Sequence, residues 1–203
     1  MSVLNNSNAI SAGGAYNITD SLRFRSSASA YLTRDITTTS NQKTFTVSLW
    51  CKRSKLGSRQ SLLSRNDGTG NLYWGIDFGA SDNIVVYDVG AGGYHVTTQV
   101  FRDTSAWYHI VVAYDTTNAT STDRCKVYVN GERITSFSSS TAPTLNADTY
   151  MNVTGYPICI GNWIGFSFYY DGYMTEFNFV DGQALDPSYF GSTNADGVWS
   201  PKK

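Results

Sequence analysis

The chain predicts an all-β fold, a two-sheet antiparallel β-sandwich of the jelly-roll kind with one short helical turn near its C-terminus. Three observations carry that expectation. The 203 residues suit one sandwich domain and are rich in Tyr (14), Phe (10), Trp (5) and Gly (18), residues of half-buried pleated surfaces and of the turns joining them. About eleven short β-type runs recur between turn signals. Self-similarity at a period of 20 to 50 residues, which would indicate a solenoid or propeller, is absent.

Residues 1–20 hold Ser, Asn, Gly and Ala with few large apolar groups, which predicts an N-terminal arm. Such a segment buries too little apolar surface to order itself, so a neighbouring subunit or the sandwich edge would have to hold it. The sandwich is expected over 21–191, and 192–203 form a polar tail apart from Trp199. Its strands read SLRFR, SAYLTRDI, FTVSLWCKRS, QSLLSR, NLYWGIDFGA, NIVVYDVG, YHVTTQVF, WYHIVVAYD, CKVYVNGERI, ICIGNWI and YMTEFNFVDG.

Turn chemistry separates them at DGTG (67–70), GAGG (90–93), NATSTD (118–123) and Asn130-Gly131. The last predicts a tight hairpin, because Asn and Gly tolerate the positive φ angles that such a turn needs. Period-two alternation places Tyr108, Ile110, Val112 and Tyr114 on one face, with Trp107, His109, Val111 and Ala113 on the other. Near the end, Asp186 is positioned to cap a helical turn begun by Pro187 and closed by Gly191 in a left-handed conformation. That turn is expected to plug one end of the sandwich with Tyr189 and Phe190.

Composition narrows the function. A formal charge of -1 and the lack of a basic block argue against nucleic acid. No run of about 18 apolar residues is present, so membrane insertion is not expected. The N-terminus has neither a basic leader nor an apolar core of the secretory kind. Sequons at Asn5, Asn17, Asn118 and Asn152 therefore imply no glycosylation. Cys51, Cys125 and Cys159 lack metal-ligand spacing and read as small buried hydrophobes.

Glu176, Asn178 and Asp181 stand at E-x-N-x-x-D, close to the E-x-D-x-x-E of some β-sandwich glycosidases. Alternation puts Tyr173, Thr175, Phe177 and Phe179 on the core face, with Met174, Glu176, Asn178 and Val180 outward. Glu176 and Asn178 then share a face, and Asp181 points away unless a bulge intervenes. The Asn lacks a carboxylate's charge, so catalysis is not expected and glycoside hydrolysis is only the remote alternative. His95 and His109 are the only histidines, and His109, in the W-x-H strand, reads as a packing or backbone-bonding residue. Asp67, Asp82, Asp171 and Asp181 are oxygen donors in or near loops, and no spacing singles out a site.

Trp163, Phe166, Phe168, Tyr169 and Tyr170, with Tyr73 and Trp74, are candidate ligand-binding aromatics. They suit sugar stacking, a subunit interface or a core.

The segment WYHIVVAYDTTNATSTDRCKVYVNGERI resembles the W-x-H and Y-V-N-G strands of laminin G-like and pentraxin-like domains in the concanavalin A-like lectin/glucanase superfamily. That resemblance implies Ca²⁺, the one cofactor left open, for Asp67, Asp82, Asp171 and Asp181. Together with DGQALDPSYFG and GVWSPKK, residues 21–203 resemble a lectin-like domain of structural proteins in tailed, often marine, bacteriophages. The resemblance implies a virion component assembled in the host cytoplasm, a capsid decoration or fibre protein. Its partners would be other virion proteins, copies of itself or host-surface glycans. Relatives often continue past the PKK, so a stand-alone form or a truncated chain is expected. The alternative is a carbohydrate-binding adhesin module.

Overall fold

The computed structural model describes Tyr16, residues 18–67 and residues 72–202. Most of the expected arm, and residues 68–70 of the DGTG turn, lie outside the described residues. Among the described residues fifteen strands follow in order. They are β1 (Leu22–Phe24), β2 (Leu32–Arg34), β3 (Thr44–Arg53), β4 (Gln60–Asn66), β5 (Tyr73–Phe78), β6 (Asn83–Asp88), β7 (Gly93–Val100) and β8 (Tyr108–Asp115). After these come β9 (Cys125–Val129), β10 (Glu132–Arg133), β11 (Phe137–Thr141), β12 (Ile158–Ile160), β13 (Gly172–Asp181), β14 (Gly191–Thr193) and β15 (Trp199–Pro201).

Two antiparallel sheets face each other. One is six-stranded in the order β1-β13-β3-β8-β9-β10, and the other is seven-stranded in the order β11-β7-β6-β5-β4-β12-β2. Alternation on β8 holds: Tyr108, Ile110, Val112 and Tyr114 join the core between the sheets. Phe45 of β3 is the centre of that core. Its ring stacks on Tyr114 at 5.2 Å and meets Trp74 of the opposite sheet edge-on at 5.2 Å. All three cysteines are free and buried, and burial pushes the Cys51 thiol up to about 12.

Positive φ at Asn130 and Gly131 forms the expected hairpin between β9 and β10. The Ser-rich β11 has no apolar alternation to announce it. It joins the seven-stranded sheet as an edge on β7.

Strand β13 departs from the simple alternation. Its pairing with β3 slips between Thr175 and Asn178, and Glu176 there has φ +47°. This is a β-bulge, whose extra residue reverses which side chains face inward. Met174 is therefore buried and Tyr173 is 38% exposed, the reverse of their expected places, and Thr175 pairs with outward-facing Trp50. Beyond the bulge Phe177 and Phe179 pack against the core as expected.

The helical turn also differs from expectation. A 3-10 turn spans Pro187–Tyr189, and the Asp186 carboxylate accepts from the Ser188 amide at 2.8 Å. Phe190 follows in a right-handed conformation, and Gly191 opens β14 instead of closing a helix. The segment covers the outer face of the six-stranded sheet and does not plug an end. Phe190 lies against His109, whereas Tyr189 is 60% exposed.

Trp199 anchors this cover. A Cβ added at Gly131 or Gly191 would lie 2.6 Å from its ring, so the indole rests directly on two glycines. The buried outer face includes Thr46, Ser48, His109, Val111 and Ala113.

Phe45→Ala should cost about 3–5 kcal/mol of unfolding free energy, because it opens a cavity among three rings that do not collapse inward. Denaturant unfolding reads this directly, and a loss below about 1 kcal/mol would place the centre of the core elsewhere.

Candidate recognition surface

After β12, residues 161–170 cross the outer face of the seven-stranded sheet. The positive φ of Gly161 (+84°) turns the chain there, and a Cβ added at this position would collide with the Phe24 ring at 2.5 Å. Trp163 is buried on Val85 and Tyr87, with Tyr73, Val96 and Phe168 packed around them. Its ring lies 4.9 Å from Tyr73 and 5.5 Å from Tyr87.

Arg59, from the connection between β3 and β4, fills the centre of this cluster. Its guanidinium sits 4.7 Å from the Tyr87 ring, 4.6 Å from Trp163 and 4.4 Å from Phe168. Beneath it the fully buried Asp77 accepts from Arg59 Nε at 2.6 Å and from the Tyr87 hydroxyl at 2.7 Å. Burial pushes the Asp77 carboxyl upward, against the pull of Arg59 and Tyr87. The aromatic cage is thus already occupied by a cation of the chain itself.

The candidate aromatics divide accordingly. Trp74 is fully buried in the core. Tyr170 is also buried there, its hydroxyl donating to Lys52 O at 2.8 Å, so neither ring is available to a ligand. Trp163 forms one wall of the filled cage. Tyr73 and Tyr169 are half-buried, the latter 6.2 Å from Tyr31. Phe166 is 38% exposed and stacks parallel on Phe168 at 5.6 Å. Tyr94, which the sequence did not single out, is 40% exposed and reaches the same cluster through Tyr87 at 6.0 Å. Strand alternation alone would have found it, since Tyr94 pairs with Tyr87.

The carboxylate trio does not assemble. Glu176 accepts from the Tyr16 hydroxyl at 2.6 Å, while the Asn178 amide donates to the Glu176 backbone carbonyl at 2.9 Å. Asp181 accepts from Asn152 Nδ2 at 2.9 Å.

The calcium candidates are spread over the fold, and two are held by cations. Asp82 accepts from Arg53 and Arg102, each at 3.0 Å, and from the Gly57 amide at 2.8 Å. Burial alone would raise its pKa, but the Gly57 amide and the two guanidinium groups hold it below the usual range. Asp171 receives Arg23 at 2.7 Å and the Ser26 hydroxyl at 2.6 Å. Asp67 ends the strand region at β4, its amide donating to Leu72 O. Among the described residues no group of three His, Cys, Asp or Glu side chains converges.

His95 points between the sheets with Nδ1 3.0 Å from Ser140 Oγ. His109 stacks on Trp50 and accepts from the Trp199 indole N–H.

Along the open edge between β1/β13 and β2/β12 lies a groove of two adjoining cavities of about 390 and 520 Å³. Leu32, Ile160 and Phe177 line both.

Arg59→Ala should destabilise the domain by about 2–4 kcal/mol, since it strands a buried carboxylate, with some discount for the part-exposed guanidinium. Arg59→Met with Asp77→Leu should recover most of that loss in thermal unfolding, and equal losses in the single and double variants would refute the pairing.

A search of the curated proteins finds no match. Among solved structures, the chain is similar to domains LG4-5 of the mouse laminin alpha1 chain, with TM-score 0.59, 16% identity and coverage of 89% of this chain and 46% of that one. It is similar to domain 4 of AbnA, a GH43 extracellular arabinanase from Geobacillus stearothermophilus in complex with arabinotriose. There the TM-score is 0.52 and the identity 18%, covering 73% of this chain and 65% of that one. A third is the CBM40 of Ruminococcus gnavus IT-sialidase bound to alpha2,3 sialyllactose, with TM-score 0.53, 14% identity and coverage of 78% and 95%. The chain thus spans less than two thirds of the length of the arabinanase and laminin structures. A family model matches residues 25–188, nearly the whole of both sheets, and by it the chain belongs to the concanavalin A-like lectin/glucanases superfamily.

Proposed function

We propose that the chain is a non-enzymatic recognition module that binds glycans on the outer face of its seven-stranded sheet. One observation carries the reading. The 161–170 segment leaves the Phe166 ring exposed on a rigid backing of Phe168, Trp163 and the Arg59 guanidinium. A flat apolar ring held this way loses little freedom when a sugar stacks on its face, which favours binding. Tyr94 adds a second exposed ring with a hydroxyl, and the exposed Thr98 lies further along the same strand. The arabinotriose and sialyllactose named with two similar structures support a saccharide ligand.

Catalysis forms no part of this reading, because Glu176, Asn178 and Asp181 each have a different partner. Neither does calcium, because Asp82 and Asp171 are already neutralised by arginines.

A second reading concerns where the module works. The resemblance of residues 21–203 to structural proteins of tailed bacteriophages favours a place in a virion, as capsid decoration or as part of a tail or fibre. Many copies on a particle would convert weak single contacts into avidity.

Phe166→Ala should lower retention on a responsive glycan array at least about tenfold, equivalent to about 1.4 kcal/mol, with the melting temperature unchanged. No saturable glycan binding by the multivalent protein would end the carbohydrate reading. Quantitative mass spectrometry of purified virions addresses the other one: the chain should occur at a copy number matching capsid or tail symmetry, and its absence would remove the virion assignment.

A further inference from the structure

The outer face of the six-stranded sheet carries an imidazole with both nitrogens engaged. Trp199 Nε1 lies 2.9 Å from His109 Nδ1, and Ser48 Oγ lies 2.9 Å from His109 Nε2. An indole N–H is only ever a donor, so Nδ1 must be the bare, accepting nitrogen. Nε2 therefore carries the proton and donates to the Ser48 hydroxyl. One face of the ring stacks on Trp50 at 4.7 Å and an interplanar angle of 15°, while the hydrogen-bonded Trp199 lies beside it in a nearly parallel plane, 5.9 Å between centroids at 19°.

Protonating Nδ1 would set two N–H groups against each other. The Trp199 bond would be lost, and Trp199 is what seats residues 182–202 on the sheet. We propose that His109 is an acid-sensitive latch: its protonation releases the C-terminal segment and uncovers the outer face of the six-stranded sheet while the two-sheet core stays folded.

The surroundings fit a neutral imidazole. From β3 it meets Ser48 and Trp50, and from the covering segment Trp199 and Phe190. From the β9–β10 turn, Asn130 Oδ1 accepts from the His109 amide at 2.8 Å. No carboxylate, lysine or arginine hydrogen-bonds the ring among the described residues. Charged groups of the neighbouring surface pair otherwise: Asp186 caps its own turn near Lys126 and Lys202, and Arg133 pairs with Asp123. Burial alone lowers the His109 pKa from 6.5 to about 4.

A depressed folded-state pKa means that the closed form binds fewer protons than the open one. The stability of the latch is therefore complete above pH 6.5 and falls as pH drops through 6.5 towards 4. At pH 4.5 the open form should gain about 50- to 100-fold over its share at neutral pH.

Few other bonds tie the segment to the sheet. Thr46 Oγ1 donates to Gln183 O and accepts from the Leu185 amide, each at 2.7 Å, and the Gly182 amide donates to Thr44 O at 2.9 Å. In contrast, Phe45, Trp74 and Tyr114 are fully buried in the core between the sheets. Local opening without global unfolding follows from that difference.

The test is amide hydrogen exchange of the whole chain at pH 7 and pH 4.5, with His109→Gln measured alongside at each pH to cancel intrinsic exchange. A Gln carbonyl still accepts from the indole but does not titrate. Peptides covering 183–202 should exchange at least tenfold faster in the wild type than in His109→Gln at pH 4.5, with equal rates at pH 7. Peptides of β5 should be protected equally in both proteins. Equal behaviour of the two proteins at pH 4.5, or loss of β5 protection in step with 183–202, would overturn the proposal. Should His109→Gln fail to fold, imidazole ¹⁵N shifts of the wild type decide. The Nε2–H tautomer at pH 7, titrating well below pH 6 together with the Trp199 indole signal, is expected, and an Nδ1–H tautomer would refute the latch. His95→Gln should leave the opening unchanged, and if it abolishes the effect the assignment to His109 is wrong.

Discussion

The constraint on which the structure depends is that its central strands are built to be buried on both faces. Strand β3 is the clearest instance, with Phe45, Val47, Leu49 and Cys51 inward and Thr46, Ser48 and Trp50 outward, all at or below 7% exposure. An antiparallel sandwich usually leaves its outer faces to water. Here a further layer of chain lies over each outer face: 182–202, with its short β14–β15 ladder, over one sheet, and 161–170 over the other. Both covers are seated by a tryptophan. Trp199 rests on two glycines and an imidazole, and Trp163 on Val85, Tyr87 and the Arg59 guanidinium. The core is thus thicker than two sheets, which keeps strands such as β8, with no charged side chain before Asp115, out of solvent.

Much of this was legible in the sequence, and the missing parts share a cause. Alternation and turn chemistry identify β8, β9 and the Asn130-Gly131 hairpin because those signals are local. The Asp186 cap was equally legible. The bulge at Glu176 was not, because no residue type demands it. A non-glycine residue at φ +47° is held there by the pairing on either side, including Asn178 bonding back to the Glu176 carbonyl. Strand β11 was missed because FSSST carries no apolar period, and an exposed edge needs none. The role of Trp199 also lay beyond local reading. In a polar tail it appears isolated, and only the fold brings it to Gly131 and His109.

The candidate site shows the same division. Aromatic density around residue 163 was evident, but which rings face water depends on where Arg59 goes. Nothing in SRQS foretells that its arginine enters a cage whose rings come from Tyr87 and from the distant Trp163 and Phe168. The acidic residues were misjudged for the same reason. Asp82 and Asp171 read as free loop oxygens, yet long-range arginines claim them. Arg53 is fully buried, stacked on Phe78 at 4.1 Å, and so requires Asp82 as its counter-charge.

The filled cage also bears on ligand choice through competition. Tyr87, Trp163 and Phe168 would otherwise form a receptor for a quaternary or methylated ammonium group. Arg59 occupies that receptor as a tethered cation, and a short tether gives an effective concentration on the order of millimolar or more. A free cation must outcompete a group that never diffuses away and that is locked to Asp77 from below. The cage is thereby closed to cationic ligands without any bulky side chain to exclude them, and in the proposed glycan-binding role selection would fall to the outer faces of Phe166 and Tyr94.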